Sequence, residues 1–137
     1  MNEKITVLCV EPNKLPYEKE IENTLEEKQK YVGGYIEYTE IKNQDDVSII
    51  CNEEGKIYHL PYNRFTGYDV ISGNFLIVGN DYESGEDISL TDEQIQKYKD
   101  YFNEVSINET YRIIDKILNN ESIDEEYEIW AKINLII

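Results

Sequence analysis

Apolar and polar positions fall in short blocks along the chain, and the blocks predict strands and helices in mixed order. The run Ile5 to Val10 is almost wholly apolar and stops at Glu11-Pro12, the pattern of a buried strand closed by a turn. Pro12 and Pro16 bracket a short loop. Tyr17, Ile21, Leu25 and Val32 then recur at helical spacing among Glu and Lys, which predicts a helix over 17–32. Gly33-Gly34 supplies its stop, because Gly enters the left-handed region without steric penalty. Residues 35–41 read as a second strand. Residues 47–51 and 57–60 flank Asn52-Glu53-Glu54-Gly55-Lys56 and predict a hairpin, which Pro61 ends. After a polar loop, the stretch between Gly73 and Gly79 reads as one more buried strand.

Beyond Asn80 the character changes. Residues 80–87 form an acidic loop, and Thr91 with Gln94 has the spacing of a capping box. A helix over 91–102 follows, with Ile95, Tyr98 and Phe102 on one side, and a second over 109–119 presents Ile113, Ile114, Ile117 and Leu118 to the core. The end of the chain supports two readings. Ser122 and Glu125 suit a helix cap, whereas Tyr127, Ile129, Ala131, Ile133, Leu135 and Ile137 alternate with the period of a strand. An exposed apolar end is a liability, so this tail is expected to dock on the sheet or on a second subunit, the latter making a homodimer through 127–137.

These elements predict a single α+β domain. It has about five strands in a mixed or antiparallel sheet, one helix between the first two strands, two C-terminal helices and, on the second reading of the tail, a C-terminal strand. Residues 1–102 form the core and residues 103–137 an extension packed on it or on a second subunit. The length of 137 residues and the hydrophobic share of 40% suffice for one core without metals or disulfides. Cys9 and Cys51 both lie inside apolar runs, which predicts two buried thiols in a reduced, cytoplasmic protein. The chain opens directly on a strand with no basic leader, and no apolar stretch nears the roughly 18 to 20 residues that span a bilayer.

Charge narrows the function classes. With 29 acids against 13 bases the formal net charge is −16. That field repels nucleic acid and anionic membranes and attracts basic protein surfaces. Part of it has a compositional origin, since Lys, Ile, Asn, Glu and Tyr dominate, as in an AT-rich coding sequence, and Arg64 and Arg112 are the only arginines. Catalytic motifs are missing: there is no Gly-rich phosphate loop, nucleophile elbow or HExxH helix. His59 is the single histidine and has no partner for a metal site. Aligning Gly85 with the glycine of a calcium loop puts Tyr82 and Thr91 where carboxylates are required, so that reading fails. Neither an enzyme nor a metal or other cofactor is expected.

Five motifs occur in order: Val10-Glu11-Pro12-Asn13-Lys14, then 29–37 (QKYVGGYIE), Asn52-Glu53-Glu54-Gly55-Lys56, Leu60-Pro61-Tyr62-Asn63-Arg64, and 73–79 (GNFLIVG). Together they resemble family 3846 of the domains of unknown function, over about residues 4–102. The family commonly has Gly where this chain has Asn13, and Asn tolerates the left-handed region well enough to keep that turn. The resemblance implies no activity. It implies an origin in phages and mobile elements of Firmicutes, where small acidic proteins often counter host defences.

The leading expectation is a non-enzymatic DNA mimic with an anti-defence role. Its acids would occupy the basic nucleic-acid surface of a host nuclease or CRISPR effector without touching nucleic acid or membrane. The candidate partner-binding residues are Asp81, Glu83, Glu86, Asp87, Asp92 and Glu93, with a second group at Glu121, Asp124, Glu125, Glu126 and Glu128. An alternative is a nucleotide-binding or sequestering protein, in which tyrosines stack on the base while Asn63, Arg64 and Lys56 hold phosphate. A third is an accessory protein that oligomerises. Arg64 also has an internal reading, a bidentate pair that pins its loop to one of the many acids.

Overall fold

The first apolar run forms β1 (Lys4–Val10) in a computed structural model that describes residues 3–119. Ile5, Val7 and Cys9 point to one face of the sheet and Leu8 and Val10 to the other, all buried. The next segment corrects the expected helix over 17–32. Residues Tyr17–Glu22 are a strand, β2, antiparallel to β1, and only Leu25–Val32 is helical, as α1. In β2, Tyr17, Lys19 and Ile21 fall on one face and Glu18, Glu20 and Glu22 on the other, so period two competes with the helical spacing of Tyr17, Ile21 and Leu25. Thr24 decides where the helix starts: its side chain caps α1 by accepting from the Glu27 amide at 3.2 Å. Gly33, at φ 80, closes α1 in the left-handed conformation, as its sequence position suggests.

β3 (Ile36–Ile41) and β4 (Gln44–Asn52) form a hairpin around Asn43, which sits at φ 63. The expected hairpin of 47–51 with 57–60 is absent, and β4 pairs with β3 instead. Residues 53–59 are consecutive turns, because β4 already has β3 on one edge and β7 (Phe75–Asn80) on the other, which leaves no edge for 57–60 to pair with. The loop after Pro61 holds two strands that the sequence reading omitted, β5 (Tyr62–Phe65) and β6 (Val70–Ser72), paired in a small sheet of their own. The first eighty residues thus hold seven strands, not five, and the helix lies between the second and third.

β8 (Asp87–Ile88) extends the pairing of β7, and α2 (Asp92–Tyr101) carries the expected capping box at Thr91 and Gln94. The last described helix, α3 (Glu104–Leu118), starts five residues before its expected beginning, because Asn103 is its cap and accepts from the Ser106 amide at 3.2 Å. Leu118, expected in the core, is exposed, while Ile113, Ile114 and Ile117 are buried.

The main sheet is antiparallel throughout, in the order β2-β1-β7-β4-β3 with β8 on β7. One face packs α2 and β6 through Leu8, Ile49, Phe75, Ile77, Ile95, Tyr98 and Phe102; α1 covers the other, over Val7, Ile50, Leu76 and Val78. α3 covers the small sheet through Val70, Ile113, Ile114 and Ile117. The expected single α+β domain is therefore the observed architecture. The tail 123–137, its helix or strand readings and the homodimer through 127–137 fall outside the described residues.

Candidate functional site

Strand direction sorts the surface into two unlike ends. Because β7 is antiparallel to both β1 and β4, the end of β7 lies beside the starts of those strands. Asp45-Asp46 at the start of β4, the loop 81–86 and the first turn of α2 therefore share one end of the sheet. Direct bonds hold them together. Tyr82 donates from its hydroxyl to the Asp45 carbonyl at 2.5 Å, and the Asn80 amide reaches the same oxygen at 3.3 Å. Gln94 donates to Asp46 Oδ2 at 3.1 Å, and Tyr98 donates to Asp46 Oδ1 at 2.5 Å. Asp45, Glu83, Glu86, Asp92 and Glu93 are exposed around this junction, with Asp81 partly so. Asp45 and Asp46 were missed from sequence; their Asp-Asp pair just past Asn43 was the available signal, but nothing local says that the start of β4 meets the 81–86 loop.

The loop is braced from within. Asp81 Oδ1 accepts from the Glu83 amide at 3.0 Å, its backbone carbonyl accepts from the Gly85 amide at 2.7 Å, and Ser84 Oγ accepts from the Glu86 amide at 3.2 Å. The amide of Glu83 and the amide and hydroxyl of Ser84 hold the Asp81 carboxyl below its ordinary range. At Asp46, burial pushes the carboxyl up, but bonds from Tyr98 and Gln94 outweigh it and leave the group more acidic than usual. Asp92 and Glu93 sit in the first turn of α2, where the helix dipole favours negative charge. Asp81 and Asp46 therefore stay charged at neutral pH.

Asp87 does not join this surface, which corrects its place among the exposed acids. Its side chain is buried against α1: Lys28 Nζ lies 2.5 Å from Asp87 Oδ2, and Tyr38 donates to the same oxygen at 2.6 Å. Asn23 donates to the Asp87 carbonyl at 3.0 Å. The residue latches the end of the acidic loop to α1 and β3. Glu121, Asp124, Glu125, Glu126 and Glu128 lie outside the described residues.

The alternative phosphate site is not assembled. Arg64 is wholly buried, and every donor of its guanidinium meets a protein oxygen: Nε to Ser106 Oγ at 3.0 Å, Nη1 to Asn63 Oδ1 at 3.0 Å and to Asn63 O at 3.4 Å, Nη2 to Lys14 O at 2.5 Å and to Phe102 O at 3.2 Å. None of these partners is a carboxylate, which corrects the expected ion pair as well. Burial pulls the guanidinium down to about 10. Asn63 bonds inward too, donating to Val10 O at 2.9 Å and Gly73 O at 2.8 Å. Lys56 is tied to Asp69 at 2.6 Å. Asn63-Arg64 is thus a clamp joining the end of β1, the loop before β2, the end of α2 and the start of α3.

The thiols are free and buried on opposite faces, Cys9 against the α1 side and Cys51 against the α2 side, so no disulfide links them. Burial pushes the Cys51 thiol up to about 12. His59 is an exposed turn residue at φ 54. Asn13, at φ 63, does take the left-handed conformation in which the family commonly places Gly. Among the described residues no group of three or more His, Cys, Asp or Glu could hold a metal ion, and no helix is long and apolar enough to cross a membrane. The far end of the sheet is different in kind, with Tyr35, Ile57 and Tyr58 all more than half exposed.

Searches of curated proteins and of solved structures each found no match. Residues 5–103 match the family model described as Domain of unknown function (DUF3846), an interval that takes in β1 to α2, the clamp and the whole described acidic end, and the chain belongs to that family.

Proposed function

We propose that this chain is a non-catalytic binding protein whose acidic end occupies a basic, nucleic-acid-type surface on a partner protein, such as a nuclease or CRISPR effector. The observation that carries the reading is the convergence of Asp45, Asp81, Glu83, Glu86, Asp92 and Glu93 from three separate segments at one end of the sheet. The internal bonds of the loop and the Asp87 latch fix the loop backbone and the Asp81 carboxylate before any partner arrives, which lowers the ordering cost of binding. A dense row of fixed negative charge is what a duplex offers such a surface, at about one charge per 1.7 Å of axis. Steering by this field makes association fast and salt-sensitive.

The test is capture of host proteins on the immobilised chain at low salt, followed by elution with competing duplex DNA. DNA should displace the captured partner, and reversal of Asp45, Glu83, Glu86 and Glu93 to Lys should abolish capture. Partners that DNA fails to displace, or that survive the reversal, would sink the reading.

A further inference from the structure

β2 ends the sheet, and among the described residues nothing pairs with its outer edge. Its register with β1 fixes which backbone groups face outward. Asn23 donates to Glu3 O at 2.8 Å, so Ile21, Lys19 and Tyr17, which follow at alternate positions, exchange the bonds with β1. Thr6, the partner of Glu20, confirms the parity, since its carbonyl turns away from β2 to accept from the Leu90 amide at 2.9 Å. Glu18, Glu20 and Glu22 therefore aim their amides out of the sheet. The carbonyls of Glu18 and Glu20 do the same, while that of Glu22 accepts from Thr24. The same three residues carry exposed carboxylates on one face of the strand, about 6.8 Å apart at two residues per repeat. Lys4 approaches Glu20 only at 4.0 Å with both side chains more than half exposed, a contact too weak to occupy the carboxylate.

We propose that the outer edge of β2 takes an extended basic peptide of a partner protein as an added strand. Backbone bonds to Glu18, Glu20 and Glu22 give the affinity, and Lys or Arg at every second position of the peptide meets the three carboxylates. A second copy of this chain is a poor occupant, because pairing β2 with β2 sets carboxylate against carboxylate. The added strand runs antiparallel to β2, as every other pairing of this sheet does, so the partner's cations must stand on the residues whose own N–H and C=O face β2, since those share a face with the glutamates. This surface uses none of the residues of the acidic end and shares with it the sign of the charge it attracts.

The probe is a labelled heptapeptide alternating Lys with Thr and Val, followed by fluorescence anisotropy on the unaltered chain. N-methylation of the Lys amides should weaken binding at least tenfold, and N-methylation of the Thr and Val amides should leave it within about twofold. Grouping the lysines at one end of the peptide should weaken it about tenfold. Glu20→Pro removes one outward amide and no bond to β1, a change that edge strands tolerate, so it should keep the melting temperature and lose the peptide. Reversal of the acids at the other surface should not affect it. Equal affinity for the two N-methylated peptides, or no measurable binding of the parent peptide, overturns the proposal whatever the variant does.

Discussion

Arg64→Met removes a buried guanidinium and leaves its oxygens in place, so the clamp can be weighed by arithmetic. The carbonyls of Lys14 and Phe102 and Asn63 Oδ1 lose their donors, at 2.5, 3.2 and 3.0 Å. Each buried acceptor left unpaired costs about 1–3 kcal/mol, so roughly 6 kcal/mol at the midpoint. Against that stands the relief of a desolvated charge. The fall of its pKa from 12.5 to about 10 corresponds to a charging penalty of roughly 3 kcal/mol. The net expectation is a loss of about 3 kcal/mol, a large part of the stability of a domain this size. In urea unfolding, with a slope of about 1.5 kcal/mol per molar, the midpoint should fall by about 2 M with the slope unchanged. Arg64→Lys should lose about half as much, because an ammonium keeps the charge but cannot span Ser106, Lys14 and Phe102 together. A shift below about 0.3 M for Arg64→Met would refute the reasoning, since it would mean that the five contacts contribute nothing net.

Three further outcomes follow from the packing. At Gly55 a methyl group would stand 2.6 Å from the Ser72 carbonyl, so Gly55→Ala should lower stability by about 2 kcal/mol or more, read as a fall in the urea midpoint. Cys9 and Cys51 should resist a thiol reagent in the native state and react together once urea unfolds the chain; fast labelling of either in buffer would contradict its burial. Stability should also decline with alkali. Folded Cys51 keeps its proton to about 12 against an ordinary 9, and Tyr17, bonded to Glu11, keeps its own to about 12 against 10. The unfolded chain loses these protons first, so their contribution is full below pH 9 and fades as pH rises through 12. Arg64 works in the opposite direction above about 10, because it is the folded state that sheds its proton early. Cys51→Ala should flatten the decline above pH 9 in unfolding series run from pH 7.5 to 10.5.

The sequence spoke most clearly where one periodicity stood alone. β1 and β7 are apolar on both faces between turn residues, and α2 announces itself through Thr91 and Gln94. It misled where two periods overlapped. Tyr17, Ile21 and Leu25 suit a helix, yet Lys19 and the alternating glutamates make an edge strand with Ile21 as its buried residue, and Thr24-x-x-Glu27 marked the helix start. β5 and β6 stayed hidden because their buried residues include Asn63, Arg64 and Ser72, whose burial depends on partners as distant as Val10 and Phe102. The candidate site was half legible. The 81–93 acids stand out in the sequence, whereas Asp45 joins them through a bond to Tyr82 and Asp87 leaves them through Lys28.

On the proposed function, the acidic end competes with nucleic acid for a basic protein surface. The most direct measurement is the affinity of a captured host partner for labelled duplex DNA, taken with increasing amounts of this chain. The wild-type chain should displace DNA stoichiometrically at low salt and lose this effect as salt rises. The chain with Asp45, Glu83, Glu86 and Glu93 reversed to Lys should displace none. A partner that binds the chain and DNA at once, or equal displacement by the reversed chain, would contradict it.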